Sequence, residues 1–363
     1  MKAAILYQTK TPLRVDEVEL EQPGPGEVLV KLVGTGVCHT DLAVAHGDVS
    51  VPLPVVLGHE GAGIVQQVSS GVTSLKPGDH VVLSGGASCG KCYHCIKGMP
   101  VLCEIFQPLR FGGFLPGNQS RLKKNGQKLH HFFLQSSFAE YSVVPQEVAI
   151  KVRQDAPLET ICILGCGVMT GLGSVLNAAQ AGAGTSVAVF GCGGVGLGAV
   201  MAANLAGVYR IIAVDILENK LKMAEELGAN YTINASNGKV VERINQITGG
   251  GADYTIIAVG NVEATLQAID AVRLGGKCVI IASPPQGIKV PLDPRSLLRE
   301  KTLRGCSMGS GKPILDIPRY VDLYMDGKLP IDKLITHRYP LSEINKACQT
   351  LDQGEAIKPV IMF

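Results

Sequence analysis

A glycine-rich hexapeptide between a strand pattern and a helix pattern constrains the fold of this chain more than any other feature. The hexapeptide GCGGVG, residues 191–196, follows the apolar run SVAVF and precedes a long run of small apolar residues. In such a turn Gly191 reverses the chain, Gly193 lets the backbone approach a pyrophosphate, and Gly196 allows the helix to pack closely on the strand. Asp215 closes the next strand pattern. The combination predicts a dinucleotide site with its phosphates at the helix N-terminus.

The same carboxylate selects the dinucleotide. Asp215 can accept hydrogen bonds from both hydroxyl groups of an adenosine ribose, and it would repel a 2′-phosphate. We therefore expect NAD, rather than NADP, as the cofactor.

Alternating strand and helix patterns extend this unit over residues 168–306. Six apolar segments are separated by helical patterns such as Glu218 to Leu227, and they read VAVFG, RIIAVD, NYTI, DYTIIAVG, KCVIIAS and TLRG. This alternation predicts an α/β fold with a doubly wound, six-stranded parallel sheet. Residues 1–167 show short valine-rich strands between Gly and Pro turns, which predicts an all-β barrel. Residues 307–363 are expected to return to that first domain.

A second constellation has the residue types of a metal site. Cys38 and His59 are too far apart for one helix face, but a loop between packed elements can bring them together. Thiolate and imidazole are ligands that zinc prefers, and a catalytic zinc takes three protein ligands and keeps a fourth position open. Cys166 is the candidate third ligand, because glycines on both sides let the backbone bend sharply.

Four further cysteines lie close together in the sequence CGKCYHCIKGMPVLC, at Cys89, Cys92, Cys95 and Cys103. Four thiolates at this spacing can close a tetrahedron around one zinc and leave no open position, so such a site would stabilise the segment. The chain would then bind two Zn²⁺ ions. Disulfides or an iron–sulfur cluster remain alternatives at this point.

Composition restricts the partners. The formal net charge is +2, which gives no electrostatic reason to expect nucleic acid or an anionic membrane. The fifty residues from Thr160 to Tyr209 contain no charged side chain and no His, but glycines interrupt the run and its periodicity changes, which argues against membrane spans. The N-terminal apolar run is too short for a signal peptide. Eleven cysteines without a leader favour reduced thiols and a cytoplasmic location.

Three segments, in this order, resemble the zinc-dependent medium-chain alcohol dehydrogenases: GVCHTD at residues 36–41, GHEGAGIV at 58–65 and LGCGVMTG at 164–171. The resemblance covers the whole chain. It implies a catalytic domain with a GroES-like barrel, carrying the cysteine-rich lobe at 89–103, and a Rossmann domain that binds NAD. It also implies hydride transfer between NAD and a primary alcohol and its aldehyde.

The resemblance assigns further site residues. It implies catalytic roles for Thr40 in proton transfer, for Asp41 in holding His59, and for Glu60 behind the metal. It implies cofactor contacts for His39, Thr170, Gly191, Gly193, Gly194, Val195, Gly196, Asp215, Lys220 and Lys358. Many relatives end the proton relay at a histidine where this chain has Ala43, so His46 or water is expected to complete it. For Asp41, stabilisation of a helix N-terminus is an equally good explanation.

The resemblance also indicates the substrate pocket, which we expect to include Gly85, Phe132, Phe133 and Ser283. Many ethanol-active relatives place a phenylalanine at the position of Gly85, so a bulky alcohol, aromatic or terpenoid-like, is expected. A side chain from segment 105–115 could instead fill the gap, and core packing could equally explain the two phenylalanines.

Two other functions remain possible on the sequence. One is oxidation of S-(hydroxymethyl)glutathione, although Gln107 stands where such enzymes carry an arginine. The other is a zinc- and nucleotide-binding protein without turnover. A homodimer or homotetramer is expected, because the apolar strand Lys277 to Ala282 lies in an edge half of the predicted sheet.

Overall fold

The computed structural model describes residues 1–282 and 284–363, and it divides into two compact units. Unit 1 comprises residues 1–166, 312–327 and 331–363, and unit 2 comprises residues 167–311 and 328–330. The sequence had placed the return to the first domain at 307. Residues 307–311 belong to unit 2 because they pack tightly there: a Cβ at Gly173 would lie 2.3 Å from the carbonyl oxygen of Gly309.

The strands alternate with turns in the first half of the chain and with helices in the second. In chain order they are β1 (Lys2–Leu6), β2 (Arg14–Glu17), β3 (Glu19–Leu20), β4 (Glu27–Gly36), β5 (Val55–Val56), β6 (Gly61–Val68), β7 (His80–Leu83), β8 (Leu122–Lys124), β9 (Gln127–Lys128), β10 (Tyr141–Pro145), β11 (Ala149–Lys151), β12 (Ser186–Phe190), β13 (Arg210–Asp215), β14 (Tyr231–Asn234), β15 (Ala252–Ile257), β16 (Val272–Ile280), β17 (Thr302–Gly305), β18 (His337–Pro340) and β19 (Pro359–Met362).

The helices are concentrated in the second half of the chain. They are α1 (His39–His46), α2 (Tyr93–Ile96), α3 (Leu158–Ile161), α4 (Gly167–Gly173), α5 (Gly194–Leu205), α6 (Glu218–Glu226), α7 (Val240–Thr248), α8 (Val262–Ala271), α9 (Pro313–Met325) and α10 (Ile344–Asp352). Short 3₁₀ turns include Pro108–Arg110, Cys162–Gly165 and Leu341–Glu343, and a π-helical segment spans Ser174–Ala179.

Unit 1 is built on a seven-stranded sheet. Its strands run in the order β11-β7-β6-β4-β19-β18, and β10 pairs with β4. Its pairs are antiparallel apart from the parallel pair of β18 and β19. Two three-stranded sheets, β2-β1-β5 and β3-β8-β9, complete the unit. The predicted β-rich first domain is confirmed, and β19 shows how the C-terminal residues join its sheet.

Unit 2 contains a six-stranded sheet in the order β14-β13-β12-β15-β16-β17. All its pairs are parallel, which confirms the doubly wound sheet. The chain order reverses between β12 and β15, and ligands of such sheets bind outside the carboxyl ends of the strands at this reversal. The glycine hexapeptide directly follows β12, so it stands at that position.

The expected edge strand was wrong in detail. The segment Lys277–Ile280 is not an unpaired edge, because β16 pairs with β15 on one side and with β17 on the other. The edge on this side of the sheet is β17, which is short and largely exposed, and the opposite edge is β14. TLRG is among the six predicted strands, but the sequence pattern does not show that it lies outside the apolar segment.

Among the described residues, no single helix is long and apolar enough to cross a membrane. One bent pair, Leu158–Gly165 with Gly167–Ala179, passes such a test by length and composition only.

Candidate active site and cofactor site

The first turn of α1 links two predicted site residues. Cys38 immediately precedes the helix, and one carboxylate oxygen of Asp41 accepts the backbone N–H of Cys38 at 3.0 Å. The other oxygen lies 3.0 Å from Nδ1 of His59 and accepts the backbone N–H of Gly58 at 3.1 Å. The two explanations for Asp41 are therefore compatible, since one carboxylate both caps the helix and orients the imidazole.

Four potential ligand atoms converge beside this turn. The ligand atoms of Cys38, His59, Glu60 and Cys166 all lie within 4.8 Å of one another. His59 and Glu60 are buried, and the two cysteines are half-buried. Nε2 of His59 is buried without a hydrogen-bond partner among the described residues. Such an orphaned imidazole nitrogen between two thiols fits a zinc ion, which would satisfy it and would draw both thiols into their ionised form.

The charges in this group are strongly coupled. The hydrogen bond with Cys166 lowers the pKa of Cys38 well below its ordinary value, whereas that bond and burial raise the pKa of Cys166. Burial opposes ionisation of His59, but the charges of Asp41 and Cys38 outweigh it and raise the pKa of His59. The protein thus concentrates negative charge around Nε2 of His59, which favours a cation at this point.

Aromatic rings enclose the imidazole. The Phe133 ring stacks on His59 with centroids 4.6 Å apart, and the Phe132 ring meets it edge-on at 5.4 Å. Phe132 is fully buried and Phe133 almost fully buried in the core of unit 1. Both phenylalanines therefore pack in the core, and both also contact the candidate ligand His59.

A buried glutamine also fixes the histidine, and sequence reasoning missed it. Nε2 of Gln135 donates to the carbonyl oxygen of His59 at 3.0 Å, and Oε1 of Gln135 accepts the N–H of Gly61 at 3.4 Å. Gln135 is fully buried. Its only sequence signal is an amide inside the apolar run FFLQSSFA.

The candidate proton-transfer residue stands near one thiol. The Thr40 hydroxyl lies 3.7 Å from Sγ of Cys38. Ala43, in the next turn of α1, has no group that can carry a proton. His46 ends α1 on the surface, with Nε2 3.8 Å from Asp352.

Lys358, for which a pyrophosphate contact is predicted, forms a buried ion pair that sequence reasoning missed. Its Nζ lies 2.6 Å and 2.5 Å from the two carboxylate oxygens of Glu60, and both side chains are buried. Burial raises the pKa of Glu60, and the neighbouring lysine partly offsets this. Lys358 therefore serves in this structure as the counter-ion of a candidate metal-site residue.

The cysteine-rich lobe forms a second group. The sulfur atoms of its four cysteines lie within 4.8 Å of one another, and all eleven cysteines of the chain are free thiols. The disulfide alternative is therefore not realised. Hydrogen bonds from the backbone of Cys95 and Glu104 lower the pKa of Cys92 to about 6. Thiols held in this way fit a four-coordinate zinc.

The glycine hexapeptide has the geometry that a dinucleotide requires. Gly191 has φ +91°, and a Cβ at Gly196 would lie 1.8 Å from the carbonyl oxygen of Gly191. A Cβ at Gly193 would meet no atom within 4 Å, so this glycine leaves open space beside the N-terminus of α5. Gly194 begins that helix. The open space fits a pyrophosphate, and the clash at Gly196 explains the close approach of helix and strand.

Asp215 stands at the same turn. One of its oxygens accepts the N–H of Cys192 at 2.7 Å, and the other accepts the N–H of Leu217 at 3.0 Å. These bonds fix the carboxylate at the end of β13 with capacity for further donors. Lys220 lies half-buried in the first turns of α6.

The remaining predicted cofactor contacts are placed as follows. Thr170 is buried in α4, with its hydroxyl 3.9 Å from Sδ of Met308. A Cβ at Gly171 would lie 2.0 Å from the carbonyl oxygen of Val195, so α4 and α5 are in direct contact there. His39 is exposed at the start of α1. The predicted pocket residue Ser283 lies outside the described residues.

Gly85 adjoins the candidate metal group. Its N–H donates to the carbonyl oxygen of Gly165 at 2.8 Å, directly before Cys166 in the chain. Gly85 and Gly86 are both buried. A Cβ at Gly86 would lie 3.3 Å from a guanidinium nitrogen of Arg110, so a side chain from segment 105–115 does reach this wall.

Comparison with known proteins is consistent with these sites. Residues 24–154 match the alcohol dehydrogenase GroES-like domain, and residues 194–325 match the zinc-binding dehydrogenase family. S-(hydroxymethyl)glutathione dehydrogenase of Paracoccus denitrificans is 38% identical, with 100% of this chain and 99% of the relative covered.

Two solved structures share the fold along the whole chain. An alcohol dehydrogenase zinc-binding domain protein from Burkholderia ambifaria has a TM-score of 0.96 and 42% identity, covering 100% of this chain and 98% of the other. Benzyl alcohol dehydrogenase from Acinetobacter calcoaceticus has a TM-score of 0.95 and 40% identity, covering 100% and 99%.

The chain belongs to the zinc-dependent medium-chain alcohol dehydrogenases, and its cofactors are NAD and zinc.

Proposed function

We propose that this enzyme interconverts bulky or aromatic primary alcohols and their aldehydes. The observation that carries the proposal is the position of Gly85, which is bonded to the residue before Cys166 and offers no side chain at the pocket wall. We propose room for a substrate ring at Gly85, although Arg110 reaches the neighbouring Gly86, where a Cβ would lie 3.3 Å from a guanidinium nitrogen. A ring filling such a space gains roughly 25 cal/mol per Å² of apolar surface buried. The similarity to a benzyl alcohol dehydrogenase supports this substrate class.

Different residues of the chain would bind the metal, accept the substrate proton and exclude water from the site. Cys38, His59 and Cys166 would hold a zinc ion, which would supply a Lewis acid that makes an alcohol more acidic, and bound NAD would supply the hydride acceptor. Thr40, whose hydroxyl lies 3.7 Å from the Cys38 sulfur, is placed to accept the substrate proton. Asp41 holds His59 in one tautomer through Nδ1, which directs Nε2 toward the metal. The buried rings of Phe132 and Phe133 exclude water from this side of the site.

The test compares kcat/KM for benzyl alcohol and ethanol in the wild type and in Gly85→Phe. We expect benzyl alcohol to be preferred, and we expect the variant to lose activity selectively on it. A wild-type enzyme at least as efficient on ethanol would contradict the enlarged pocket. Gly182→Phe serves as the control, because Gly182 lies outside both candidate metal groups, has no positive φ, and a Cβ there would meet no atom within 4 Å. The comparison concerns the ratio of the two substrates, so a general loss of folded protein does not affect it.

A second candidate is oxidation of S-(hydroxymethyl)glutathione, which the name of a 38% identical relative suggests. Gln107 weakens it, since a neutral amide binds the glutathione carboxylate less strongly than an arginine would. The same assay decides: a kcat/KM for S-(hydroxymethyl)glutathione above that for benzyl alcohol would favour the second candidate.

We also propose that the enzyme forms a homodimer or homotetramer in the cytoplasm. An edge strand with unpaired backbone groups favours pairing with a second copy, and one of the two edges of the unit 2 sheet is β17. Light scattering tests the oligomer, and a mass near the 38.2 kDa of one chain would contradict it.

A further inference from the structure

One buried cation lies between the two candidate metal groups of unit 1. Arg110 ends the 3₁₀ turn Pro108–Arg110, and its side chain is only 7% exposed. Burial lowers the pKa of Arg110, while the charges of Cys166 and Cys103 act in the opposite direction. The guanidinium group is thus within electrostatic range of one thiol from each metal group. Burying a charge is costly unless the group is paired or hydrogen-bonded. The contacts of Arg110 therefore indicate which parts of unit 1 it connects.

On one side Arg110 is bonded to the cysteine-rich lobe. A guanidinium nitrogen donates to the carbonyl oxygen of Val101 at 2.9 Å. Val101 is buried and lies between Cys95 and Cys103 in the chain. Gly86 allows this approach, since a Cβ there would lie 3.3 Å from the same nitrogen. The position of the guanidinium group is therefore set by the lobe.

On the other side Arg110 holds Phe133 in two ways. Its carbonyl oxygen accepts the N–H of Phe133 at 2.9 Å, and its guanidinium carbon lies 6.0 Å from the centroid of the Phe133 ring. Phe133 has φ +51°, a left-handed conformation that is unfavourable for a bulky residue. Such a conformation persists only where the surrounding contacts stabilise it. The hydrogen bond and the ring contact with Arg110 are two of these contacts.

Phe133 transmits the constraint to the candidate ligand. Its ring stacks on His59 at 4.6 Å with an interplanar angle of 29°. Asp41 fixes the imidazole through Nδ1, but one hydrogen bond leaves the ring free to rotate about the bond direction. The stacked ring removes that freedom, so Asp41 and Phe133 together define where Nε2 points.

We propose that Arg110 is a positioning residue which couples the cysteine-rich lobe to the catalytic metal through Phe133 and His59. The lobe fixes the guanidinium group, the guanidinium group fixes the strained Phe133, and Phe133 fixes the plane of the imidazole. The lobe then does more than stabilise its own segment, because the carbonyl oxygen of Val101 anchors the guanidinium group that contacts Phe133. This role is independent of the substrate that the enzyme uses.

The first experiment replaces the catalytic zinc with Co²⁺ and compares wild type, Arg110→Met and Arg110→Lys. Residues that orient a metal ligand typically change metal affinity or activity by about 10–100-fold. We expect Arg110→Met to shift the Co²⁺ absorption bands and to release the catalytic metal to a chelator about tenfold faster, with the lobe zinc retained. Arg110→Lys keeps the charge without the planar group, and we expect a smaller shift in the same direction.

Arg121→Met is the matched control. Arg121 is also a partly buried arginine of unit 1, with Nε 2.8 Å from Glu27, and it makes no ring contact with Phe133. We expect this variant to lose stability while the Co²⁺ bands and the rate of metal release stay at wild-type values. If Arg110→Met and Arg110→Lys also leave the bands and the release rate unchanged, Arg110 only closes the lobe and the proposal is overturned.

A double-mutant cycle tests the route through the ring. If Arg110 acts through Phe133, the effects of Arg110→Lys and Phe133→Leu on metal release are not additive, and the double variant resembles Phe133→Leu alone. Additive effects would overturn the coupling. Arg110→Lys is used here because its smaller change preserves folded protein if Arg110→Met does not fold.

Discussion

Glu60 and Lys358 form a buried ion pair, although 298 positions separate them in the chain. The lysine nitrogen lies 2.6 Å and 2.5 Å from the two carboxylate oxygens. Glu60 also belongs to the group of potential metal ligands. The pair therefore balances charge beside the candidate metal ligands and connects the residue before β19 to the loop that carries His59.

Removing only one partner of this pair should be costly. We expect Lys358→Met to lower the free energy of unfolding by about 3–5 kcal/mol, because it leaves a carboxylate buried without its counter-ion. The double variant Lys358→Met/Glu60→Gln should recover most of the loss. Urea unfolding measures both. Lys346→Met is the control, since its pair with Glu343 is exposed and should contribute less than about 1 kcal/mol. If Lys358→Met and Lys346→Met lowered the free energy of unfolding by similar amounts, burial would not explain the strength of the Glu60–Lys358 pair.

Metal content should be two zinc ions per chain. Cys166→Ser should retain one, lose turnover and keep its fold, because the lobe is untouched. Cys92→Ser should lose the lobe zinc and mainly lose stability, since a structural zinc contributes folding free energy. Cys348→Ser changes a thiol outside both groups and should retain two. Metal analysis of purified protein checks this, and iron in the lobe would instead support a cluster.

Two glycines of the hexapeptide should fail in different ways when replaced by alanine. Gly193→Ala should fold normally and bind NAD more weakly, because its Cβ enters the open space that the pyrophosphate needs. Gly196→Ala should lose stability, because its Cβ would lie 1.8 Å from the carbonyl oxygen of Gly191. Thermal unfolding and NAD titration together distinguish the two. A lower melting temperature for Gly193→Ala than for the wild type would contradict the interpretation that the space beside Gly193 is open for a ligand.

Asp215→Ser should allow NADP to compete with NAD. The substitution removes the repulsion of a 2′-phosphate and also removes a ribose acceptor, so both effects act in the same direction. The ratio of kcat/KM for the two cofactors measures the change. A wild-type enzyme that already prefers NADP would show that the carboxylate does not face the ribose.

Stability should depend on the protonation of His131. Burial, followed by the charges of Arg121 and His130, lowers the pKa of His131 to about 3 from 6.5. Below pH 6.5 the unfolded chain binds a proton that the folded chain does not, so the stabilisation is complete above this pH and is lost as the pH falls toward 3.

The matching variant is His131→Gln, whose amide can still accept the N–H of Arg121 but does not titrate. At one pH unit below the unfolded pKa, the histidine contributes about 1.4 kcal/mol of pH-dependent destabilisation. The loss of unfolding free energy between pH 7.5 and pH 5.5 should therefore be smaller in the variant by about this amount. An equal loss in both proteins would assign the acid sensitivity to other groups.

The sequence by itself predicted those features that depend on residues close together in the chain. The hexapeptide predicted the turn after β12, because the position of each glycine follows from backbone sterics over six residues. The spacing of four cysteines within fifteen residues predicted one metal group for the same reason. Alternating strand and helix patterns predicted the six-stranded sheet of unit 2.

Only the tertiary structure decided which distant side chains meet. Lys358 is paired with Glu60, and no local pattern connects two residues that are so far apart in the chain. Arg110 and Gln135 showed no motif, yet both contact the surroundings of His59. The unpaired edge strand also changed from the apolar segment to β17. Burial of a charge or an amide depends on the packing of many elements at once, and this information is distributed over the whole chain.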